Sequence, residues 1–422
     1  MSNGITNKLI CGDNLEELSK LSKESVDLIY IDPPFFSNRN YEVIWGDEAE
    51  IRSFKDRWEG GIEHYIGWLE PRVQLLWDVL KPTGSFYLHC DWHANAHIRI
   101  MLDKIFELRN FKNEIVWNYE SGGRSINFFP RKHDTIFYYT KSKTYTFNGD
   151  DISVRRDVCL ECGNKLERWN NLKRNIDKDG RVYRTIKSND KIYKYYDDDP
   201  VIPPDVWLGI NHLQQKDPER LGYPTQKPPK LLERIIKVSS NKDDLVLDAF
   251  CGCGTALTVS QNLKRHWIGI DISPTAIKVI ERKLKIHNVE KGKDYVVIGE
   301  PTTIRQLEKL EPFEFQNWII DTMRAKHSKR KIGDMGLDGY IDKDLYHEAA
   351  GIQVKQSESI GRNVVDNFKA ALDRAKYKKG YIVAFSFGSG AHEETARLKN
   401  EGSVNIELVT VEDLLYKKVT LK

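Results

Sequence analysis

The sequence predicts an α/β protein built on a doubly wound, mostly parallel sheet, with an inserted region in its middle and a smaller α/β domain at its C-terminal end. Three observations predict it. Short β-branched runs alternate with amphipathic helical stretches, as at Val26 to Ile31, Tyr65 to Leu80, Ser85 to Cys90 and Asn95 to Phe106, and again at Leu231 to Ile236, Leu245 to Leu247 and Ile277 to Ile286. That alternation is the pattern of strands joined by crossover helices. From Tyr145 to about Leu221 the apolar periodicity fades, and Tyr, Lys, Arg and Asp dominate. Beyond Phe313 a helix and new strands begin, after the first sheet has closed near Val297-Ile298-Gly299.

Size and composition agree with this division. A chain of 422 residues exceeds one ordinary core, so two or three domains are expected. With 40% hydrophobic and 30% charged residues it reads as globular, and a net charge of +3 is too small to argue for nucleic acid, so local charge must carry that argument. No apolar stretch approaches a membrane span and no signal-peptide core opens the chain, so no membrane partner is expected. Six cysteines in this length do not make a disulfide scaffold, which suits a reducing cytoplasm.

Taken in order, Leu9-Ile10-Cys11-Gly12-Asp13 reads as a short strand ending at an acid, and Leu15, Leu18 and Leu21 as the helix after it, with Asp13 or Asn14 as its N-cap. The apolar run Val26 to Ile31, broken only by Asp27, reads as a buried parallel strand that stops at Asp32-Pro33-Pro34-Phe35. The prolines have no N–H and fix φ, so the ladder cannot continue, and Pro33 holds Asp32 extended. A carboxylate, outward carbonyls and a flat apolar ring would suit an aromatic amine, whose two N–H groups need acceptors before its lone pair can be aimed at an electrophile. Taken alone, the tetrapeptide is equally an ordinary strand-to-loop turn.

Residues 37–60 are polar and aromatic, a loop suited to DNA contacts, to a lid, or simply to solvent. Ser85 to Cys90, Phe111 to Tyr119 and Asp134 to Tyr139 read as further strands. His89, Asp91 and His93 lack another ligand on a neighbouring strand and do not predict a metal. Ser121-Gly122-Gly123-Arg124 and Arg131-Lys132-His133 fall on connecting loops, open to phosphate or to solvent.

A second motif decides how the first is read. Leu245 to Asp248 is a short strand, and Ala249-Phe250-Cys251-Gly252-Cys253-Gly254-Thr255 a Gly-containing turn opening a helix, where a ligand can come close to the backbone. Trp267-Ile268-Gly269-Ile270-Asp271 follows as a strand that ends in an acid, positioned to hold a nucleoside ribose.

These blocks, in this order, resemble the β-class of DNA amino-methyltransferases. The resemblance extends to Cys11-Gly12-Asp13-Asn14, Leu80-Lys81-Pro82-Thr83-Gly84-Ser85, Trp92-His93, Glu114-Ile115-Val116-Trp117, Lys132-His133-Asp134-Thr135-Ile136 and Tyr223-Pro224-Thr225-Gln226-Lys227-Pro228, particularly to modification subunits of type III restriction systems. It implies a Rossmann-like methyltransferase sheet, S-adenosylmethionine as cofactor, and duplex DNA as partner. A homodimer and a restriction-system partner are compatible with it. It implies that Asp32, Pro33, Pro34 and Phe35 are catalytic and that Asp13, Asp248, Phe250, Gly252, Gly254, Thr255 and Asp271 bind the cofactor, with Thr225 and Lys227 flanking its methionine end. Asp-Pro-Pro before an aromatic favours adenine N6 over cytosine N4 within the family.

The expected division is a catalytic half over 1–144, a target-recognition insertion over 145–221, a cofactor-binding half over 222–300 and a separate domain over 311–422. The insertion is basic between Lys165 and Lys194, with Trp169, Tyr183 and Tyr193 interleaved, before Asp197-Asp198-Asp199 reverses the sign; that composition suits duplex DNA. Cys159-Leu160-Glu161-Cys162-Gly163 is half a zinc knuckle without its second pair, so zinc is not expected.

In the tail, a basic run from Arg324 to Lys331 precedes Gly336-Leu337-Asp338-Gly339-Tyr340 and Gly351-Ile352-Gln353-Val354-Lys355, an acid on one hairpin strand and Gln-x-Lys on the next, which can converge on a divalent metal and a water. With Asn367-Phe368 and the Gly380 to Phe385 strand, they resemble the restriction-endonuclease-like fold of Mrr-type nucleases. The resemblance implies Mg2+ held by Asp338 and Gln353, Lys355 acting on the attacking water, and Glu314 as an additional ligand. A nuclease-like fold kept for DNA binding or packing is the alternative.

Overall fold

The computed structural model describes residues 6–36, 40–45, 50–55, 60–120, 125–166, 172–213, 226–328, 336–343 and 348–416. Thr225, Trp169, Ser37 to Arg39, Ser121 to Arg124 and Lys329 to Lys331 lie outside them. The main sheet has nine strands in the spatial order Val206–Trp207, Phe111–Asn118, His133–Thr140, Leu80–Cys90, Val26–Ile31, Leu245–Asp248, His266–Asp271, Asn7–Cys11 and Tyr295–Ile298. From Leu80–Cys90 to Tyr295–Ile298 every pairing is parallel, while His133–Thr140 runs antiparallel to both its neighbours.

Strands buried on both faces need apolar residues at consecutive positions. In Val26–Ile31, Ile29 and Ile31 pack towards Tyr65, Leu69, Val73 and Leu76 of the helix Gly61–Val79 and towards Ile98 and Leu102 of Asn95–Phe106. Leu28 and Tyr30 pack on the opposite side with Leu231, Leu232, Ile235 and Ile236 of Pro229–Ser239 and with Ala256 and Val259 of Thr255–Asn262. Each fully buried Leu or Ile contributes about 1.5–3 kcal/mol by leaving water. The helix Pro274–Ile286 covers Leu9 and Trp267.

The strand order brings distant motifs together. Val26–Ile31 and Leu245–Asp248 are neighbours, with Val246 opposite Leu28 and Leu247 opposite Ile29. Asp27, the one acid inside the apolar run, explains how they are locked. The register with Leu80–Cys90 shifts between Val26 and Leu28, and the Asp27 carboxylate accepts bonds from Lys81 Nζ (2.7 and 2.8 Å) and from the backbone N–H of Leu245 (2.9 Å).

Several elements differ from expectation. Where a loop is expected after the Pro-Pro stop, Asn40–Trp45 and Glu50–Lys55 form an antiparallel hairpin, in keeping with the alternation Tyr41, Val43, Trp45. Inside the expected insertion are a three-stranded sheet (Asn175–Ile176, Val182–Ser188, Lys191–Tyr196) and a two-stranded one (Val154–Arg155, Pro200–Val201). Its last part, however, returns to the main sheet. Val206–Trp207 pairs with Phe111–Asn118, and Trp117 Nε1 donates to the Ile210 carbonyl at 2.7 Å.

The C-terminal sheet orders Lys326–His327, Gly339–Ile341, Ala350–Val354, Lys379–Ala384 and Asn405–Thr410. Among the first three each neighbouring pair is antiparallel, and among the last three each is parallel. The helix Pro312–Thr322 covers one face through Phe315, Ile319 and Ile320, and Arg362–Ala375 covers the other through Val365, Phe368 and Leu372. All six cysteines are free, and among the described residues no helix is long and apolar enough to cross a membrane.

Asp27→Ala strands a part-buried backbone N–H at Leu245 and removes the partner of the half-exposed Lys81 ammonium, so it should lower stability by about 1 kcal/mol. Urea unfolding followed by circular dichroism reads the shift in midpoint.

Candidate active site

Parallel strands present their C-terminal ends to one edge of the sheet, and the site forms there. Asp32 follows Ile31, Asp248 and Asp271 end their strands, and Asp13 stands two residues beyond Cys11. These four carboxylates, with Pro33, Pro34, Phe35, Phe250, Gly252 and Thr255, line one cavity of about 300 Å³. The two motifs singled out in the sequence are therefore two walls of one cavity.

Asp32 is the centre of the first wall. Lys227 Nζ donates to Asp32 Oδ2 at 2.5 Å, and the lysine side chain is 7% exposed. The same ammonium lies 5.0 Å from the centre of the Phe35 ring. Asp32 Oδ1 is buried and has no hydrogen-bond partner among the described residues. One carboxylate oxygen is thus held by a fixed cation and the other is left as an acceptor beside an aromatic plate. Lys227, expected at the methionine end of a cofactor, lines the cavity and grips Asp32.

The second wall is a turn organised by its own acids. Asp271 accepts from the N–H of Gly252 (2.8 Å) and of Ser273 (2.9 Å), and burial raises its carboxyl to about 6 against those bonds. Asp248 accepts from Phe250 N–H at 3.1 Å; burial, then the charges of Asp32 and Asp271, push it well above the usual carboxylate range. Gly254 caps the helix Thr255–Asn262 at φ 72°, and a Cβ there would meet Ile280 Cγ1 at 2.7 Å. Thr255 opens that helix and is buried. The N-terminal end of a helix, a close backbone and flanking acids together fit a polar nucleoside with donor hydroxyls.

Asp13 caps its helix by accepting from Leu15 N–H at 2.8 Å and pairs with Arg72 at 3.0 Å. Arg72 also donates to Asn14 Oδ1 (2.7 Å), whose Nδ2 donates to the Ala249 carbonyl (2.8 Å). Arg72 and Asn14 are absent from the sequence-based set. The signal for Arg72 was a charge on the buried stripe of its helix, in line with Tyr65, Leu69 and Leu76. Behind Phe35, His89 bridges Tyr30 OH (2.9 Å) and Asp134 (3.1 Å), and Tyr119 donates to Asp134 at 3.0 Å. Although burial opposes it, the His89 bond helps hold the Asp134 carboxyl below its usual value. His89 therefore belongs to a buried hydrogen-bond chain, while Asp91 pairs with His93 at 2.6 Å.

In the C-terminal domain, Asp338 accepts from Val354 N–H at 2.7 Å, which sets its carboxylate against the backbone between Gln353 and Lys355. Gln353 is buried and its Oε1 has no hydrogen-bond partner among the described residues. Glu314, expected as an additional ligand beside Asp338, has its Oε2 accepting from Ser273 Oγ at 3.0 Å and lines the cavity of the main sheet, where its helix packs against Pro274–Ile286. Among the described residues no group of three or more His, Cys, Asp and Glu side chains could hold a metal ion.

Breaking the buried Asp32 pair from one side leaves an uncompensated charge. Lys227→Met should therefore destabilise the chain by about 3 kcal/mol, and adding Asp32→Asn should restore most of it. A four-member cycle of melting curves measures this coupling.

Comparison with known proteins bears directly on these two walls. Residues 26–282 match the family model described as DNA methylase, and residues 307–416 match that described as restriction endonuclease. The DNA adenine methyltransferase YhdJ of Escherichia coli is 32% identical over 280 residues, covering 66% of this chain and 82% of that protein. The type II methyltransferase M.BamHI of Bacillus amyloliquefaciens is 27% identical over 337 residues, covering 78% and 69%. Among solved structures, the cytosine-N4-specific PvuII DNA methyltransferase aligns over 70% of this chain and 95% of its own, at 18% identity and a TM-score of 0.43. With more than half its length matched as a DNA methylase and the Asp-Pro-Pro and Gly-x-Gly walls closing on one cavity, the chain belongs to the DNA methylase family.

Proposed function

We propose that this DNA methylase moves a methyl group from S-adenosylmethionine to the exocyclic amine of a base flipped out of duplex DNA, adenine N6 in preference to cytosine N4, within a restriction-modification system. The observation that carries the reading is the divided Asp32 carboxylate, one oxygen bound by Lys227 and the other an unpartnered buried acceptor in the cavity. The name of the relative YhdJ, a DNA adenine methyltransferase, supports the choice of adenine.

When bound, S-adenosylmethionine supplies an electrophilic methyl carbon on a sulfonium. Asp32 Oδ1 accepts one N–H of the target amine and the Pro33 carbonyl the other, which localises the nitrogen lone pair. Phe35 stacks on the base. The residues that would hold that cofactor would set its methyl in line with the amine nitrogen, and the Asp32 carboxylate would steady positive charge on the amine and accept its proton. Asp271, Asp13 and the turn from Gly252 to Thr255 hold the nucleoside, and Thr225, two residues before Lys227, flanks the methionine end.

Flipping a base costs a few kcal/mol of stacking and pairing, which protein contacts must offset. Exposed Ile126, Phe128 and Phe129, with Arg131 over the Trp92 ring at 3.8 Å, supply apolar and cationic groups close in sequence to Asp134. In the insertion Arg184 and Arg181 are taken by Asp197, Asp198 and Asp199, and Lys187 pairs with Asp190 at 3.5 Å, so the exposed hairpin residues Lys191 and Lys194 are the better phosphate partners. Metal-dependent cleavage by Asp338, Gln353 and Lys355 with Mg2+ is the proposal for the C-terminal domain. It is tested by incubating supercoiled plasmid with Mg2+ and the wild type beside Asp338→Ala.

Incubating the full chain with unmethylated genomic DNA and labelled S-adenosylmethionine, then hydrolysing the DNA, should yield labelled N6-methyladenine. Asp32→Ala should lose at least about a hundredfold in transfer while cofactor affinity changes by less than about threefold. Label in N4-methylcytosine alone would move the reading to cytosine; undiminished transfer by Asp32→Ala would reject the assignment.

A pH dependence follows from Asp271, whose carboxyl sits at about 6 in the free protein. Ribose hydroxyls donate to the ionised form, so affinity for the cofactor should be full above that value and fall as pH drops through it. Asp271→Asn should bind weakly at every pH and remove the step in titration calorimetry.

A further inference from the structure

The helix Pro312–Thr322 faces two ways. Phe315, Ile319 and Ile320 enter the C-terminal core with Ile352, Tyr381 and Val383. Phe313, Glu314 and Asn317 line the cavity between the Asp-Pro-Pro and Gly-x-Gly walls. The spacing of three and four residues puts those last three on one side of the helix.

Two contacts pin that side to the main sheet. Glu314 accepts from Ser273 Oγ at 3.0 Å, and Ser273 itself donates its backbone N–H to Asp271 at 2.9 Å and caps the helix Pro274–Ile286. Further along the same two helices, Arg282 reaches Asp321 at 3.5 Å. The cavity therefore reads Asp271, Ser273, Glu314 along its nucleoside end. Asn317 adds a second, independent observation: it is 1% exposed, and its Oδ1 is buried with no hydrogen-bond partner among the described residues. An unmatched buried carbonyl oxygen costs stability unless a ligand supplies a donor.

We infer that the cofactor site is completed by the C-terminal domain, with Asn317 and Glu314 accepting donors from the nucleoside end of S-adenosylmethionine, its ribose hydroxyls and adenine amine, and with Phe313 as an apolar neighbour. The inference rests on the reading of this cavity as the S-adenosylmethionine site. Because the same helix is part of the C-terminal core, cofactor binding and the stability of the nuclease-like domain are linked, and each strengthens the other. The Mrr-like region is then a component of the methyltransferase pocket as well as a domain fused behind it.

S-adenosylhomocysteine is the probe, since it keeps the nucleoside and carries no methyl to transfer. Titration calorimetry on the full chain should show Asn317→Ala and Glu314→Ala each weakening it about tenfold, with Asp366→Ala, on an exposed face of the Arg362–Ala375 helix, unchanged. In the wild type, hydrogen exchange of amides 312–322 should slow on adding the ligand, a readout that needs no variant to fold. Wild-type binding with both variants equal to it and no change in exchange would overturn this inference alone. A wild type that binds no S-adenosylhomocysteine would overturn the methyltransferase reading and this one with it.

Discussion

The ion pair between Asp32 and Lys227 is the constraint on which the site depends. It ties the tip of Val26–Ile31 to the segment just before the helix Pro229–Ser239, and so joins the two halves of the methyltransferase unit where they meet in space. An ion pair this far from water is costly to form and more costly to break from one side. What it provides is orientation. With one oxygen bound, the carboxylate cannot rotate freely, and its second oxygen stays buried and unpartnered at the cavity wall. The prolines act to the same end, since they stop the strand and leave Asp32 at its edge.

The sheet supplies the rest of the geometry. A parallel array delivers every C-terminal strand end to one edge, so acids that end separate strands become neighbours. Asp271 is spent largely on shaping its own turn, by holding the amides of Gly252 and Ser273, and Asp27 does comparable work at the other end of the central strands. Arg72 and Asn14 extend the scaffold by tying Asp13 to the Ala249 carbonyl. Several of the polar residues at this edge thus build the cavity as well as face it.

Much of this was legible in the sequence because it rests on residues with unusual backbone demands. Pro33, Pro34, Gly252 and Gly254 announce a stopped strand and a tight turn, and the Val26, Leu245 and Trp267 strands carry the continuous apolar pattern of buried parallel strands. The pairing of Lys227 with Asp32 was not legible, since nothing local to either residue specifies a partner so distant in the chain. Nor was the place of Val206–Trp207, a two-residue strand too short to show periodicity. The contact of Glu314 with Ser273 was not legible either, because a helix reports which of its residues share a face and not what that face meets. The buried Asn317, between Gln316 and Trp318, gave no signal beyond its polarity.

The most direct measurement is modification-sensitive sequencing of DNA from a methylation-free host that expresses the wild-type chain, beside one expressing Asp32→Ala. The account predicts modified adenines at one recurrent sequence in the first and none in the second. The same modification in both hosts, or none in either despite folded protein, would contradict it.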